Sequence, residues 1–471
     1  MSALILKDLI HHARIWVWSL LVAATGATLI GAITISLNSA MQWSRGQENS
    51  QELIGMAEIL ASNLISYIGL ATAAVLASTL ALTVAAQQRT HALWKVLGIP
   101  GTRIARVLTG QVALVGVIGG VIGSILAPAV VPLYLRTWQE FNVYPADMPV
   151  VIPLYGPALT IAVTTLFCVL GGRGAAKRAA RVPEMQALRE ATAPSSRTRV
   201  WQWVVAALLV FALIMVPISQ MPDDQMMASG GDPGLSPAEE EAMLEEMNSP
   251  AGRASAGGAM GLILTMAALC VPAWTLRPLL VAWTRMVPIP GAAWFAARAN
   301  ALHRSAISLT TITPFAIAVG MTGTVYSTVG ASQALGGEGS VSGFMSVGVP
   351  IFIVSGVGGV ANIAMVGATR RQEGALLGVL GATRATVLRS TVLEGAIYAI
   401  TGILFGLLCT LFAASAAALL SGGGIQVLLR AIPLGALAPM VPVCLMMAVA
   451  TTWIPAVLDR RPALERLRQP V

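Results

Sequence analysis

Charge is scarce in this sequence. Asp, Glu, Lys and Arg make up 11% of its 471 residues, less than half of the about 25% usual for a soluble domain, which excludes an ordinary water-soluble fold. Cysteine is scarce too: Cys168, Cys270, Cys409 and Cys444 lie scattered in apolar stretches with no metal-ligand spacing and read as small buried packing residues. Histidine occurs only at His11, His12, His91 and His303, never as H-E-x-x-H, so metalloenzyme chemistry has little to build on. No G-x-x-x-x-G-K-[ST] loop is present, so the chain does not bind ATP in the P-loop manner.

Apolar length, by contrast, is plentiful. The chain is 56% hydrophobic with mean hydropathy +0.76. Runs of about 20 apolar residues recur, the length that crosses a hydrocarbon core of ~30 Å. The expected fold class is an all-α polytopic membrane protein with about ten spans, roughly 15–38, 59–85, 107–132, 151–171, 201–219, 257–284, 306–330, 346–368, 390–420 and 436–457. Pro272 and Pro314 fall inside spans as expected kinks. The first residues, "LILKDLIHHARIW", read as a retained lead-in rather than a removed signal peptide.

The net charge of +8 reports topology rather than nucleic acid. With ten spans, 24 of the 29 basic residues fall on one side, and the positive-inside rule makes that side cytoplasmic, with both termini. Most acids fall on the other side, clustered between Asp223 and Glu246 in a loop over 220–256. Within it "SPAEEEAMLEEMN" reads as a helix capped by Ser236, with Pro237 first and Glu239 closing a capping box.

An internal repeat organises the chain. A shift of 283 positions lays Val96-Leu97-Gly98 on Val379-Leu380-Gly381, Arg106 on Arg389, Gln111 on Glu394, Gly119 on Gly402 and Gly123 on Gly406. The glycines form small-xxx-small rows of the kind that let helices approach closely in lipid. The tails "RVPEMQALRE" and "RRPALERLRQ" match, and the lead-ins "LKDLIHHAR" and "ARANALHRS" match more weakly. The expected organisation is a four-span repeat over 1–190, a two-span connector over 191–290, and a second four-span repeat over 291–471, both repeats facing the same way.

Each repeat carries a basic amphipathic elbow between its second and third spans. In one, Leu93, Trp94, Leu97 and Ile104 oppose Arg89, Lys95, Arg103 and Arg106. In the other, Leu376, Leu377, Leu380 and Val387 oppose Arg370, Arg371, Arg384 and Arg389. Gly98 and Gly381 break each helix midway. The expected shape is a span that bends, lays a short helix along the cytoplasmic face and turns back. An interfacial lipid anchor is the plain alternative for one such element; two at matching positions suit two equivalent cytoplasmic partners.

"RRQEGALLGVLGATRATVLRSTVLEG" resembles the signature of FtsX-like permeases, the membrane subunits of MacB-type (type VII) ABC transporters. The match runs through Arg371, Leu376, Leu377, Leu380, Gly381, Ala382, Thr383, Arg389 and Glu394. The first copy matches through Arg89, Leu93, Leu97, Gly98 and Arg106, and departs at Ile99-Pro100-Gly101 and at Gln111, where that family has Glu. The resemblance implies that each elbow docks a separate ABC ATPase, two copies per chain, and that ATP and Mg²⁺ belong to that partner and not to this chain. The chain is then a transport subunit and not itself an enzyme. Gln111 and Glu394 are candidates for transmitting the ATPase motion, or for holding the elbow's turn. The 4+2+4 plan is similar to Bce-type permeases, without their large extracellular domain.

The favoured expectation is a permease in a bacterial cytoplasmic membrane exporting or extracting an amphipathic or lipophilic compound, such as an antimicrobial peptide or drug, with a sensor kinase as a possible further partner. No span centre carries an ionisable residue marking a hydrophilic path. The alternative is a mechanotransmitter controlling an extracellular process such as cell-wall hydrolysis. An ion-coupled secondary transporter would need midplane acids or broken half-helices and leaves the elbows unexplained.

Overall fold

A computed structural model describes residues 7–9, 11–45, 50–139, 148–181, 200–219, 249–336 and 341–458. The first repeat comprises α1 (Ala13–Ser44), α2 (Ser50–Ala86), the short α3 (Gln88–Val96), α4 (Gly101–Gln139) and α5 (Gly156–Arg181). The connector holds α6 (Val200–Ser219), α7 (Pro250–Cys270) and α8 (Pro272–Met286). The second repeat comprises α9 (Ala292–His303), α10 (Ser305–Ala334), α11 (Val341–Val379), α12 (Arg384–Leu420), α13 (Gly424–Ala431) and α14 (Leu434–Leu458). The protein is an all-α polytopic membrane protein. Among the described residues, nine helices are long and apolar enough to cross a bilayer, and Gln202–Ile218 adds a shorter apolar tenth.

One expectation needs correction. The span expected over 257–284 is two helices, because Pro272 lacks the N–H that would carry the helix through Val271. Pro314 lies inside a helix, α10, that runs on through it. The acidic helix expected from Ser236 and the basic tails, beyond Arg181 where α5 ends, lie outside the described residues. Ser249 instead caps α7, its hydroxyl accepting from the Gly252 N–H at 3.0 Å with Pro250 following.

Within each repeat the first and third spans form the tightest pair, because glycines remove the side chains between them. A Cβ added at Gly123 would lie 2.7 Å from the backbone of Ala27 and Thr28, and one at Gly119 would lie 2.8 Å from the Ala23 Cβ. In the second repeat, a Cβ at Gly402 would lie 2.6 Å from the Phe315 Cβ, and one at Gly406 would lie 2.6 Å from the Val319 Cβ. In lipid no hydrophobic force drives helices together, so such close packing carries much of the association.

The repeats meet along α2 and α11, which run parallel and in register. Val75 faces Gly358, its own counterpart at a shift of 283; a Cβ on Gly358 would overlap the Val75 Cγ1. One turn along, the Asn362 amide donates to the Ser78 hydroxyl at 3.0 Å and to the Thr310 carbonyl at 2.9 Å. Another turn along, the Thr83 hydroxyl donates to the Met365 sulfur at 3.4 Å while meeting the Ser19 hydroxyl at 2.8 Å. A pseudo-twofold axis therefore runs between these helices, and a buried apolar cluster of α1, α2, α10 and α11 surrounds it. Among the described residues the connector packs on the second repeat: α7 lies against α10 and α12, with Gly257 and Gly261 letting it settle on Ala417 and Ala413.

Candidate functional site

Both elbows close on the same turn. In the first, the Ile99 N–H reaches the Trp94 carbonyl at 3.0 Å and the Gly98 N–H reaches Lys95 at 2.8 Å. In the second, the Ala382 N–H reaches the Leu377 carbonyl at 2.9 Å and the Gly381 N–H reaches Gly378 at 3.1 Å. These paired bonds make a Schellman closure, which needs a left-handed residue after the helix; Gly98 (φ 84°) and Gly381 (φ 95°) supply it without a Cβ penalty. The helices after the turns start differently. The Thr383 hydroxyl accepts from the Thr386 N–H at 3.2 Å, whereas Pro100 sets the fixed φ that starts α4, its carbonyl accepting from Arg103 at 2.9 Å. The sequence departure at Ile99-Pro100-Gly101 thus reaches the same fold by other chemistry.

The approaches to the two turns differ, and here the expected shape is corrected. Only the first elbow has a bend and a separate short helix, at Gln87 (φ −98°, ψ 6°). In the second, α11 continues through Arg370 and Arg371 without a break for 39 residues, roughly 58 Å at 1.5 Å per residue. Helical hydrogen bonds do not require an apolar sequence, so the basic cluster ends the apolar run without ending the helix.

The apolar residues grouped at each elbow also separate. Ile104 is buried with Trp94 and Ile99 packed around it, against α2 and α5. Leu93, Val96 and Leu97 are 50%, 63% and 80% exposed, and their counterparts Leu376, Val379 and Leu380 are 53%, 62% and 82% exposed. The two turns therefore present the same apolar triad to the same degree. Leu377 is at the margin of exposure, Val387 is half-buried, and Arg103, Arg106, Arg384 and Arg389 are exposed beside the turns. The side chains of Arg89 and Arg371 lie outside the described residues.

Behind the exposed triads lie polar contacts that the sequence pattern does not show. Gln111 is fully buried and donates to the Asp8 carboxylate at 2.6 Å, and Asp8 pairs with His12 at 3.2 Å. Glu394 is buried and accepts from the Tyr398 hydroxyl at 2.6 Å. That hydroxyl meets Ser308 at 3.1 Å, and the Ser308 hydroxyl reaches the Ala301 carbonyl at 2.8 Å. His91 lies buried behind the first turn, edge-on to Trp94 with ring centroids 5.5 Å apart. Burial pushes its pKa down to about 4, with Asp8 opposing that and His12 and Lys95 adding to it.

The family model described as FtsX-like permease C-terminal matches residues 63–181 and again residues 345–460, one match over each elbow and its flanking spans. The chain belongs to the FtsX-like permease family. It is therefore a membrane permease subunit of an ABC-type system, carrying two copies of that permease domain. FtsX-like permeases are generally non-catalytic membrane subunits and generally work with an ABC ATPase. No curated protein matches this chain.

Proposed function

We propose that this FtsX-like permease is the membrane subunit of a MacB-type exporter, and that each elbow docks one copy of a separate ATPase on its exposed apolar triad. The observation that carries the reading is the equal exposure of Leu93, Val96 and Leu97 and of Leu376, Val379 and Leu380 on two turns of the same closure. Exposed apolar clusters rimmed by charge mark protein contacts, and two equivalent clusters suit two copies of one partner. ATP and Mg²⁺ belong to that partner. The basic side of the membrane is the cytoplasmic side of a bacterial plasma membrane, with both termini there.

The cargo fits an amphipathic or lipophilic compound taken from the lipid, an antimicrobial peptide or drug, because the seam between repeats is filled by buried side chains rather than open to water. The 1–190, 191–290 and 291–471 division follows the same logic, with the connector packing onto the second repeat. The length of α11 also suits a subunit that passes movement outward without moving cargo. Substrate-dependent ATPase stimulation separates the two.

Replacing Leu97 and Leu380 with Asp together should abolish co-purification with the co-expressed ATPase. Replacing only one should leave about half the ATPase bound per chain. Undiminished co-purification of the double variant would refute docking at these turns.

A further inference from the structure

The two buried polar contacts at positions 111 and 394 end in the same place. Asp8 lies in a helical stretch, residues 7–9, just ahead of α1. Ala301 lies in the last turn of α9, just ahead of α10. Ala23 and Ala27 of α1 occupy the places of Phe315 and Val319 in α10 against the paired glycines, a shift of 292 positions. That shift sets Asp8 on Asn300, the neighbour of Ala301. The polar residue about three turns into the helix after each elbow therefore reaches the lead-in helix of its own repeat, directly in one and through Tyr398 and Ser308 in the other. Different side chains make the connection twice, so one shared requirement explains both better than chance does.

We propose that Gln111 and Glu394 are positioning residues that fasten each elbow to the lead-in helix of its own repeat, so that the two shift as one piece when the elbow is displaced. Glu394 is held against Tyr398, one turn along α12, and Tyr398 and Ser308 are themselves fully or nearly fully buried. Buried hydrogen bonds to a carboxylate are short, strong and hard to re-form with water once separated. The second lead-in helix is further fixed by its own packing, Trp294 and Ala297 buried beside Trp283, whose ring N–H donates to the Thr401 hydroxyl at 2.9 Å. The first lacks that aromatic brace among the described residues, which leaves the Gln111–Asp8 bond a larger share of the work. That the elbow is displaced at all rests on the function proposed above; the fastening itself does not.

The test uses the purified chain alone in lipid nanodiscs, so its failure is separable from failure of ATPase docking. In a background with the four native cysteines replaced by alanine, spin labels on His303→Cys and Ala385→Cys, both exposed positions, report the distance between α9 and α12. One narrow distance distribution is expected. Tyr398→Phe should broaden it or split it in two, while Glu394→Gln, which keeps an accepting oxygen, should leave it narrow. If Tyr398→Phe does not fold, Ser308→Ala cuts the same chain one link further. An unchanged distribution in whichever of these variants folds would overturn the proposal. In the first repeat, Gln111→Glu sets two carboxylates together and should lower hydrogen-exchange protection at residues 7–12 about tenfold or more, the scale of one charge-assisted hydrogen bond. Adding Asp8→Asn reverses the donor and acceptor and should restore it. Protection indifferent to Gln111→Glu, or lost and not restored, would overturn the first-repeat arm.

Discussion

Shortening Val75 and filling Gly358 together should cost less than the two changes made separately and summed. Gly358→Ala places a methyl inside the radius of the Val75 Cγ1, where carbon atoms ordinarily settle about 3.5–4.0 Å apart. Val75 is fully buried, and a valine in a helix strongly favours one rotamer. The overlap must therefore be relieved by an off-rotamer side chain or by separating α2 from α11, at about 1–3 kcal/mol. Val75→Ala removes the obstructing methyl groups and leaves a void, at roughly 1–3 kcal/mol by analogy with other core truncations. The two changes are complementary: the new methyl on residue 358 enters the space that the shortened residue 75 vacates. The double variant should cost at least ~1 kcal/mol less than the summed single costs, well beyond the roughly 0.3–0.5 kcal/mol within which independent sites add. Reversible SDS unfolding in mixed micelles measures the four corners of this cycle. Additive costs would show that the two residues do not meet, and the in-register seam with its pseudo-twofold axis would fall with them.

Other expectations are more local. Gly123→Val and Gly406→Val each drive a branched side chain into the partner backbone and should destabilise by more than about 3 kcal/mol, read as lost monodisperse protein in detergent; normal yields of both would refute the close α1–α4 and α10–α12 pairing. Thr383→Ala removes the side-chain N-cap of α12 and should cost about 1 kcal/mol, whereas Pro100→Ala in the other elbow has no side-chain cap to remove; amide exchange at residues 384–387 compares them. His91 stays neutral in the fold down to about pH 4, while the unfolded chain takes up its proton near 6.5. Stability is therefore complete above that range and is lost as pH falls from 6.5 towards 4, by about 2 kcal/mol at pH 5. His91→Gln should flatten that slope; an unchanged slope would assign it to other groups.

Much of the fold was legible because hydropathy and small-residue spacing are local properties of a chain in lipid. The ten apolar helices and the matched glycines of α4 and α12 follow from them. The match between α1 and α10 was faint for a definite reason. The later parts of the repeats correspond at a shift of 283 but these helices at 292, so the connection between first and second spans is nine residues shorter in the second copy. A single shift hides it. The break at Val271 and the continuity of α11 turned on whether a backbone N–H finds a carbonyl, which a proline settles in one case and basic residues do not prevent in the other. At the elbows, sequence reasoning found the residues but grouped Ile104 with Leu97, because helical spacing gives one stripe and not which part of it a neighbouring helix covers. Asp8, Tyr398 and Ser308 were missed altogether. Only the polarity of Gln111 and Glu394 at equal positions hinted that something buried must answer them.

The facing of Val75 and Gly358 has a consequence for what the polypeptide is. Two identical subunits meeting on such an axis would set valine upon valine, too crowded, or glycine upon glycine, leaving a gap. Joined in one polypeptide, one half carries the bulge and the other the notch, and neither can stand in for its sibling. The two repeats have become lock and key to each other, and only their union fits.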